Sequence, residues 1–228
     1  MLPALGVTAD CIVADPPYGE TNLKWDRWPD GWPAAAAIVA RSLWCFGSLR
    51  MYLERGAEFA AWRLSQDLIW EKHNGSGFDT DRFKRVHEQL THWYRGAWAD
   101  IWHTVPITRV DERSRRKWAT SGSGEHRGDI AGTKYDYDGS RLERSVIAVR
   151  SMHGRGLHKT EKPVGILDPL VSYACPPGGL VIDPFAGSGS TLDAARCSGR
   201  RAIGIEVKEN YAELAARRLS QQALAVTP

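Results

Sequence analysis

The apolar positions fall into short runs separated by breaks, not into one long repeat. Residues 10–14 ("DCIVA"), 43–47 ("LWCFG") and 67–71 ("DLIWE") are β-branched or aromatic runs bounded by turn residues, which predicts short buried strands. Between the first two, "PAAAAIVARS" is helical by composition, with Pro33 suited to a first helical turn. The run "RVHEQLTHWYR" at 85–95 fits a strand or a helix; a strand pairing back onto "DLIWE" is the expectation. From about 104 to 150 the chain is polar and Gly/Ser-rich with few periodic apolar positions, which predicts a small irregular insertion.

Order returns after 160. "KPVGILDPLVSYA" predicts a helix, kinked at Pro169 unless that proline falls in the first turn. "GLVIDPFAGSGSTLDAARCSGRRAIGIEV" reads as strand, Gly-rich turn, helix, Gly stop and second strand. In the closing "KENYAELAARRLSQQAL", Tyr211, Ala215 and Leu219 share a helical face beside Ala212 and Ala216. Strand, helix and strand at this spacing make a βαβ unit and therefore a parallel sheet.

Composition narrows this little further. At 228 residues, 43% hydrophobic and 25% charged, the chain suits one domain with a real core. A formal charge of +3 permits nucleic acid as a partner without demanding it. "MLPALGVTAD" lacks the basic start and apolar run of a secretory signal, and no stretch approaches a membrane span, so a cytoplasmic protein is expected. Cys11, Cys45, Cys175 and Cys197 have no metal-ligand or disulfide spacing, so reduced, buried thiols and no metal are expected.

Candidate chemistry begins at "DPFAGSGST". Gly187 and Gly189 allow a tight turn and close approach of a ligand to the backbone, and Ser190 and Thr191 are placed to cap the next helix. Glu206, 17 residues past Gly189, follows the second strand, where a carboxylate can accept bonds from ribose hydroxyls. Dinucleotide dehydrogenases and S-adenosylmethionine methyltransferases both use this device; a turn serving compactness alone is the plain alternative. Leu192 stands where a dehydrogenase wants its third glycine.

The strand at 10–14 ends in Asp-Pro-Pro-Tyr. Methylating an exocyclic amino group on a base is hard because its lone pair is delocalised into the ring. Two fixed acceptors, the Asp15 carboxylate and the Pro16 carbonyl, would hold the N–H groups and aim that lone pair. Pro16 and Pro17 stiffen the corner, and Tyr18 offers a face for stacking. A base inside a duplex would have to be flipped out to reach it.

On these residues the chain resembles the DNA amino-methyltransferases of the β class, in which the Asp-Pro-Pro-Tyr corner comes first, a target-recognition segment follows and the cofactor motif comes last. "DPPYG", the excursion at 104–150 and "DPFAGSGST" keep that order; "HKTEKPVGIL", "RRAIGIEV" and "LIWEKHNGSG" through "RFKRVHEQL" resemble the family's remaining segments. The resemblance implies an α/β, Rossmann-like class I methyltransferase fold: a mostly parallel twisted sheet flanked by helices, with a small irregular insertion. It implies a catalytic half at 1–103, a target-recognition insertion at 104–150 and a cofactor-binding half at 151–228. It assigns Asp15, Pro16, Pro17 and Tyr18 to catalysis. S-adenosylmethionine would lie against Asp183, Phe185, Gly187, Gly189, Ser190, Thr191 and Glu206, flanked by Thr160, Lys162 and Pro163. Asp in the first corner position resembles the adenine-specific members, many cytosine 4-amino enzymes carrying Ser there. A restriction–modification setting and a homodimer are further implications. Nine residues precede the first strand, fewer than relatives usually carry, so a contact to the cofactor's adenine is expected to be absent or supplied from elsewhere.

His87-Glu88 with His92 has the wrong spacing for a helical zinc site, and strand residues are expected. Trp25, Trp28 and Trp32 read equally as a loop that closes over DNA and as apolar cover for the core. Arg109, Arg113, Arg115, Arg116 and Lys117 are expected phosphate contacts. The function expected is methyl transfer to the 6-amino group of adenine in DNA. The alternatives are the cytosine 4-amino version, a silent DNA-binding module, a nicotinamide-dependent oxidoreductase, and protein glutamine methylation, which Asp in place of Asn and the order of the motifs both disfavour.

Overall fold

The computed structural model describes residues 2–73, 75, 81–109, 140–152 and 161–223. The described chain parts into two units, 1–104 with 145–228, and 105–144. In the first unit a seven-stranded sheet is built from β1 (Cys11–Ala14), β2 (Ser42–Gly47), β3 (Arg63–Glu71), β4 (His87–Tyr94), β7 (Val146–Ala148), β8 (Leu180–Asp183) and β9 (Arg201–Gly204). Its order is β7-β3-β4-β2-β1-β8-β9. β4 runs antiparallel to both neighbours and every other pairing is parallel. In the second unit β5 (Ile107–Arg109) pairs antiparallel with β6 (Ser140–Leu142).

Helices cover both faces because the central strands are apolar on both. Ile12 and Ala14 of β1, with Leu43 and Cys45 of β2, pack in one core with α1 (Trp32–Val39). Cys11, Val13, Trp44 and Phe46 face the other way, onto α3 (Val164–Ala174) and α4 (Ser190–Cys197). This is the continuous hydrophobic pattern of a doubly covered parallel sheet. α5 (Glu209–Ala223) closes the chain.

Several expectations hold. β4 pairs with β3, Trp70 lying opposite Glu88. β8, α4 and β9 form the βαβ unit. Others are corrected. The insertion does not run unbroken to 150, because Val146–Ala148 adds to the main sheet as an edge strand beside β3. α2 (Leu49–Arg55) was not foreseen; Ser48 caps it, accepting from the Met51 N–H at 3.0 Å. α3 continues through Pro169, its sixth residue. That proline lies on the exposed side, where water can serve the Gly165 carbonyl that loses its intrahelical donor. Cys11, Cys45 and Cys175 are buried as expected, but Cys197 is exposed. Trp28 and Trp32 are core, whereas Trp25 is 46% exposed. Among the described residues no helix is long and apolar enough to cross a membrane.

On a strand, residues five apart point to opposite faces. His87 is exposed accordingly and His92 fully buried. His92 Nε2 lies 2.9 Å from Ser42 Oγ, with the ring packed against Trp44 and Tyr173. Burial, helped by nearby His103, pushes its pKa from 6.5 down to about 3. A depressed base contributes stability fully present above pH 6.5 and lost as pH falls towards 3, on the order of 5 kcal/mol in all. Thermal unfolding followed against pH should therefore show a falling midpoint through that acid range. His92→Gln should flatten the fall; an unchanged slope would assign the acid loss to other groups.

Candidate active site

Topology brings the early corner and the late turn together. β1 lies between β2 and β8. The chain leaves β1 through α1 to β2 on one side, and leaves β8 through α4 to β9 on the other. Such a reversal opens a crevice at the carboxyl ends of the two strands. Ile12 sits opposite Ile182, so Asp15, three residues on, and Asp183, one residue on, emerge at the same edge. The same edge receives Ser48 after β2, Lys72 after β3 and Glu88 near the start of antiparallel β4.

At the corner, Tyr18 donates its hydroxyl to Asp15 Oδ1 at 3.0 Å, and Lys162 Nζ donates to Asp15 Oδ2 at 2.5 Å. Burial pushes the Asp15 carboxyl up from its ordinary value, with the Lys162 ammonium pulling it back and Glu88 adding to the rise. Pro16 is buried, and Pro17 and Tyr18 are half-buried. The following loop is clasped by buried Asp26, whose oxygens accept the Gly19 N–H at 2.8 Å and the Thr21 N–H at 2.7 Å. Trp25 stands exposed on that loop.

At the turn, Gly187 and Gly189 both take positive φ, +51° and +82°. Their surroundings differ. A Cβ on Gly189 would stand 2.8 Å from Ala215 Cβ of α5, whereas one on Gly187 would meet nothing within 4 Å. Gly189 is thus required by packing, and Gly187 leaves open space beside the backbone. The expected hydroxyl caps do not form: the N-cap of α4 is Gly189, with Ser190 and Thr191 already inside the first turn. The Ser190 hydroxyl instead accepts from Arg218 at 2.9 Å, and Thr191 bonds the Asp183 carboxylate. Burial drives Asp183 up to about 7 against the pull of Thr191 and the Phe185 N–H. Glu206, two residues past β9, braces the turn: Oε2 accepts the Gly187 N–H at 2.9 Å and Oε1 the Lys208 N–H at 2.8 Å. Phe185 packs edge-on against Trp32 at 5.4 Å.

Of the flanking residues, Pro163 caps α3 and Lys162 is buried, reaching Asp15 and not the glycine turn. Thr160 lies outside the described residues. So do Arg113, Arg115, Arg116 and Lys117, while Arg109 ends β5 opposite Ser140.

Sequence reasoning missed five residues here. Glu88 and Lys72 extend the charge cluster at Asp15. Arg218 holds the turn from α5 through the Ser188 carbonyl at 3.0 Å, and also pairs with Glu161 at 2.5 Å. Ser188 Oγ donates to Glu161 at 3.0 Å. A carboxylate inside the strand run "VHEQL" was the only sequence signal among them.

A family model described as DNA methylase, of the N6/N4 kind, matches residues 9–217. YubD of Escherichia coli (strain K12), a methylase by name, is 53% identical over 72 residues, 32% of this chain and 30% of its own. The type II methyltransferase M.HinfI of Haemophilus influenzae is 24% identical over 93% of this chain and 63% of its own. The chain thus spans less than two thirds of either relative's length. The crystal structure of the M1.HpyAVI–SAM complex superposes with a TM-score of 0.63 at 20% identity, covering 95% of this chain and 92% of that one, which establishes the class I methyltransferase fold. By the extent of the family match, this chain belongs to the DNA methylases.

Proposed function

We propose that the chain is a β-class enzyme that transfers the methyl group of S-adenosylmethionine to the 6-amino group of adenine in DNA. The observation that carries this reading is the emergence of Asp15 and the Gly187–Gly189 turn at one edge of neighbouring strands. Asp, rather than Ser, at the head of the corner favours adenine.

The residues at the turn fit the cofactor. Open space beside Gly187 admits a ligand against the backbone, and Asp183, Phe185 and Glu206 surround that bend. Ser190 and Thr191 lie at the start of α4. When bound, S-adenosylmethionine supplies an electrophilic methyl group. Asp15 and the Pro16 carbonyl accept the two N–H groups of the flipped base, which localises the nitrogen lone pair. An ionised carboxylate has about four acceptor sites, so Asp15 can take an N–H besides the Tyr18 hydroxyl and Lys162. Tyr18 is held by that hydroxyl bond, fixing the ring on which the base stacks. The amino proton is lost after transfer, with no covalent enzyme intermediate. Exposed Trp25 contacts the DNA beside the vacated position, and Arg109, Arg113, Arg115, Arg116 and Lys117 contact phosphates.

Mass spectrometry of nucleosides from DNA incubated with the protein and cofactor tests the proposal. N6-methyldeoxyadenosine is expected. N4-methyldeoxycytidine would move the reading to cytosine, and unmodified DNA that is still bound would leave only a binding module.

A further inference from the structure

Asp15 is one end of a chain of alternating charge whose side chains are 9–25% exposed. Lys162 Nζ bonds Asp15 Oδ2 at 2.5 Å and stands 3.4 Å from Glu88 Oε2, while Glu88 Oε1 pairs with Lys72. The Lys162 side chain is only 9% exposed and lies over the Phe46 ring at 4.9 Å. Lys72 covers the Trp70 ring at 4.7 Å. Two carboxylates and two ammonium groups cancel, which makes their common burial tolerable.

The chain is uneven in one respect. Glu88 Oε2 is buried and receives no hydrogen bond among the described residues, although an ammonium stands beside it. A buried acceptor left short of its donor is costly. Asp15, by contrast, already accepts on both oxygens before any substrate arrives.

We propose that Lys162 is shared between Asp15 and Glu88, and that Glu88 is a positioning residue that takes the ammonium when the target amino group occupies Asp15. This rests on Asp15 being the acceptor for that amino group. The movement needed is less than about 1 Å, from the present separation to an ordinary charged hydrogen bond. The proton stays on Lys162 and no covalent bond changes. Lys162 thus favours the ionised form of Asp15 in the empty site and, on moving to Glu88, leaves the carboxylate a stronger acceptor for the amino group.

Titratable groups face Asp15 from several elements: neutral Tyr18 from its own corner, Lys162 ahead of α3, Glu88 from β4 and Asp183 from β8. Cys45 of β2 and Tyr52 of α2 also face it, but burial drives both well above their ordinary values and keeps them neutral. Burial opposes the Lys162 charge, yet the two carboxylates hold its pKa above the usual lysine value. The protons that matter across the working range are therefore those on Asp15 and on Asp183, the latter raised to about 7 by burial.

The test is the pH profile of single-turnover methyl transfer to DNA, whose acid limb carries Asp15 ionisation in the complex, with an Asp183 contribution common to parent and variants. In Glu88→Gln the ammonium stays on Asp15, so the limb should move to lower pH. The plateau rate should fall about tenfold with little change in the KM for DNA, as one misdirected charged hydrogen bond implies. In Lys72→Gln, Glu88 draws Lys162 harder and the limb should move to higher pH. Opposite displacements together with the lowered plateau in Glu88→Gln support the handover. Opposite displacements with an unchanged plateau, as fixed charges alone would give, loss of rate with an unmoved limb, or displacement of both limbs in one direction overturns it. Should Lys72→Gln fail to fold, the plateau and limb of Glu88→Gln decide; should Glu88→Gln fail to fold, Glu88→Asp, which keeps the charge but not the reach, takes its place. An active parent with unmoved variants rejects the handover alone, whereas a parent that transfers no methyl to DNA rejects the underlying reaction and the handover with it.

Discussion

Replacing Asp15 by alanine should lower methyl transfer to DNA by about three orders of magnitude while leaving fold and cofactor binding in place. The carboxylate is the only acidic side chain on the corner, and in the proposed reaction its loss removes an acceptor aimed at the reacting nitrogen. Its removal leaves Lys162 and Lys72 to share the one carboxylate of Glu88, whose Oε2 lies 3.4 Å from Lys162 Nζ. The thermal midpoint should accordingly fall, with the protein still folded at the assay temperature. Single-turnover transfer of labelled methyl, with calorimetric titration of the cofactor, separates the two effects. A variant that loses cofactor binding in step with transfer would show that Asp15 serves the cofactor instead.

The second large effect is expected at Gly189. Its φ of +82° disfavours any side chain, and an added Cβ would stand 2.8 Å from Ala215 Cβ and 3.2 Å from Ala215 Cα. Left-handed strain and overpacking against α5 together cost about 3 kcal/mol in Gly189→Ala. α5 must shift or the turn must open, and cofactor affinity should fall with stability. Gly187→Ala is the contrast. Nothing lies within 4 Å of its Cβ, so about 1 kcal/mol of backbone strain is all the fold loses, while a methyl group enters the space left for the ligand. Denaturant unfolding and cofactor titration on both variants distinguish a packing glycine from a ligand glycine. Equal stability losses in the two would erase that distinction.

Much of this was legible in the chain before its structure. The strands at 11–14 and 180–183 are apolar on both faces, which forces covering helices and so a parallel sheet. The pairing of β3 with β4 followed from two adjacent apolar runs. Other features depend on contacts that spacing does not encode. Trp25, Trp28 and Trp32 look alike in sequence, and only burial separates the exposed first from the other two. Ser190 and Thr191 looked like caps, but Arg218 and Asp183 claim their hydroxyls from elements 28 residues later and 8 earlier. Lys162 resembled a cofactor-flanking residue, yet its ammonium crosses to Asp15, 147 residues away. Glu88 joins that cluster through the strand register that sets Trp70 opposite it. Such registers are fixed by the assembled sheet.

The most direct measurement is a crystal structure of the protein with S-adenosylmethionine bound. The sulfonium should lie beside Gly187 with its methyl group turned towards the Asp15 carboxylate. A cofactor seated elsewhere, or a methyl group facing away from that carboxylate, would contradict the joining of corner and turn into one site.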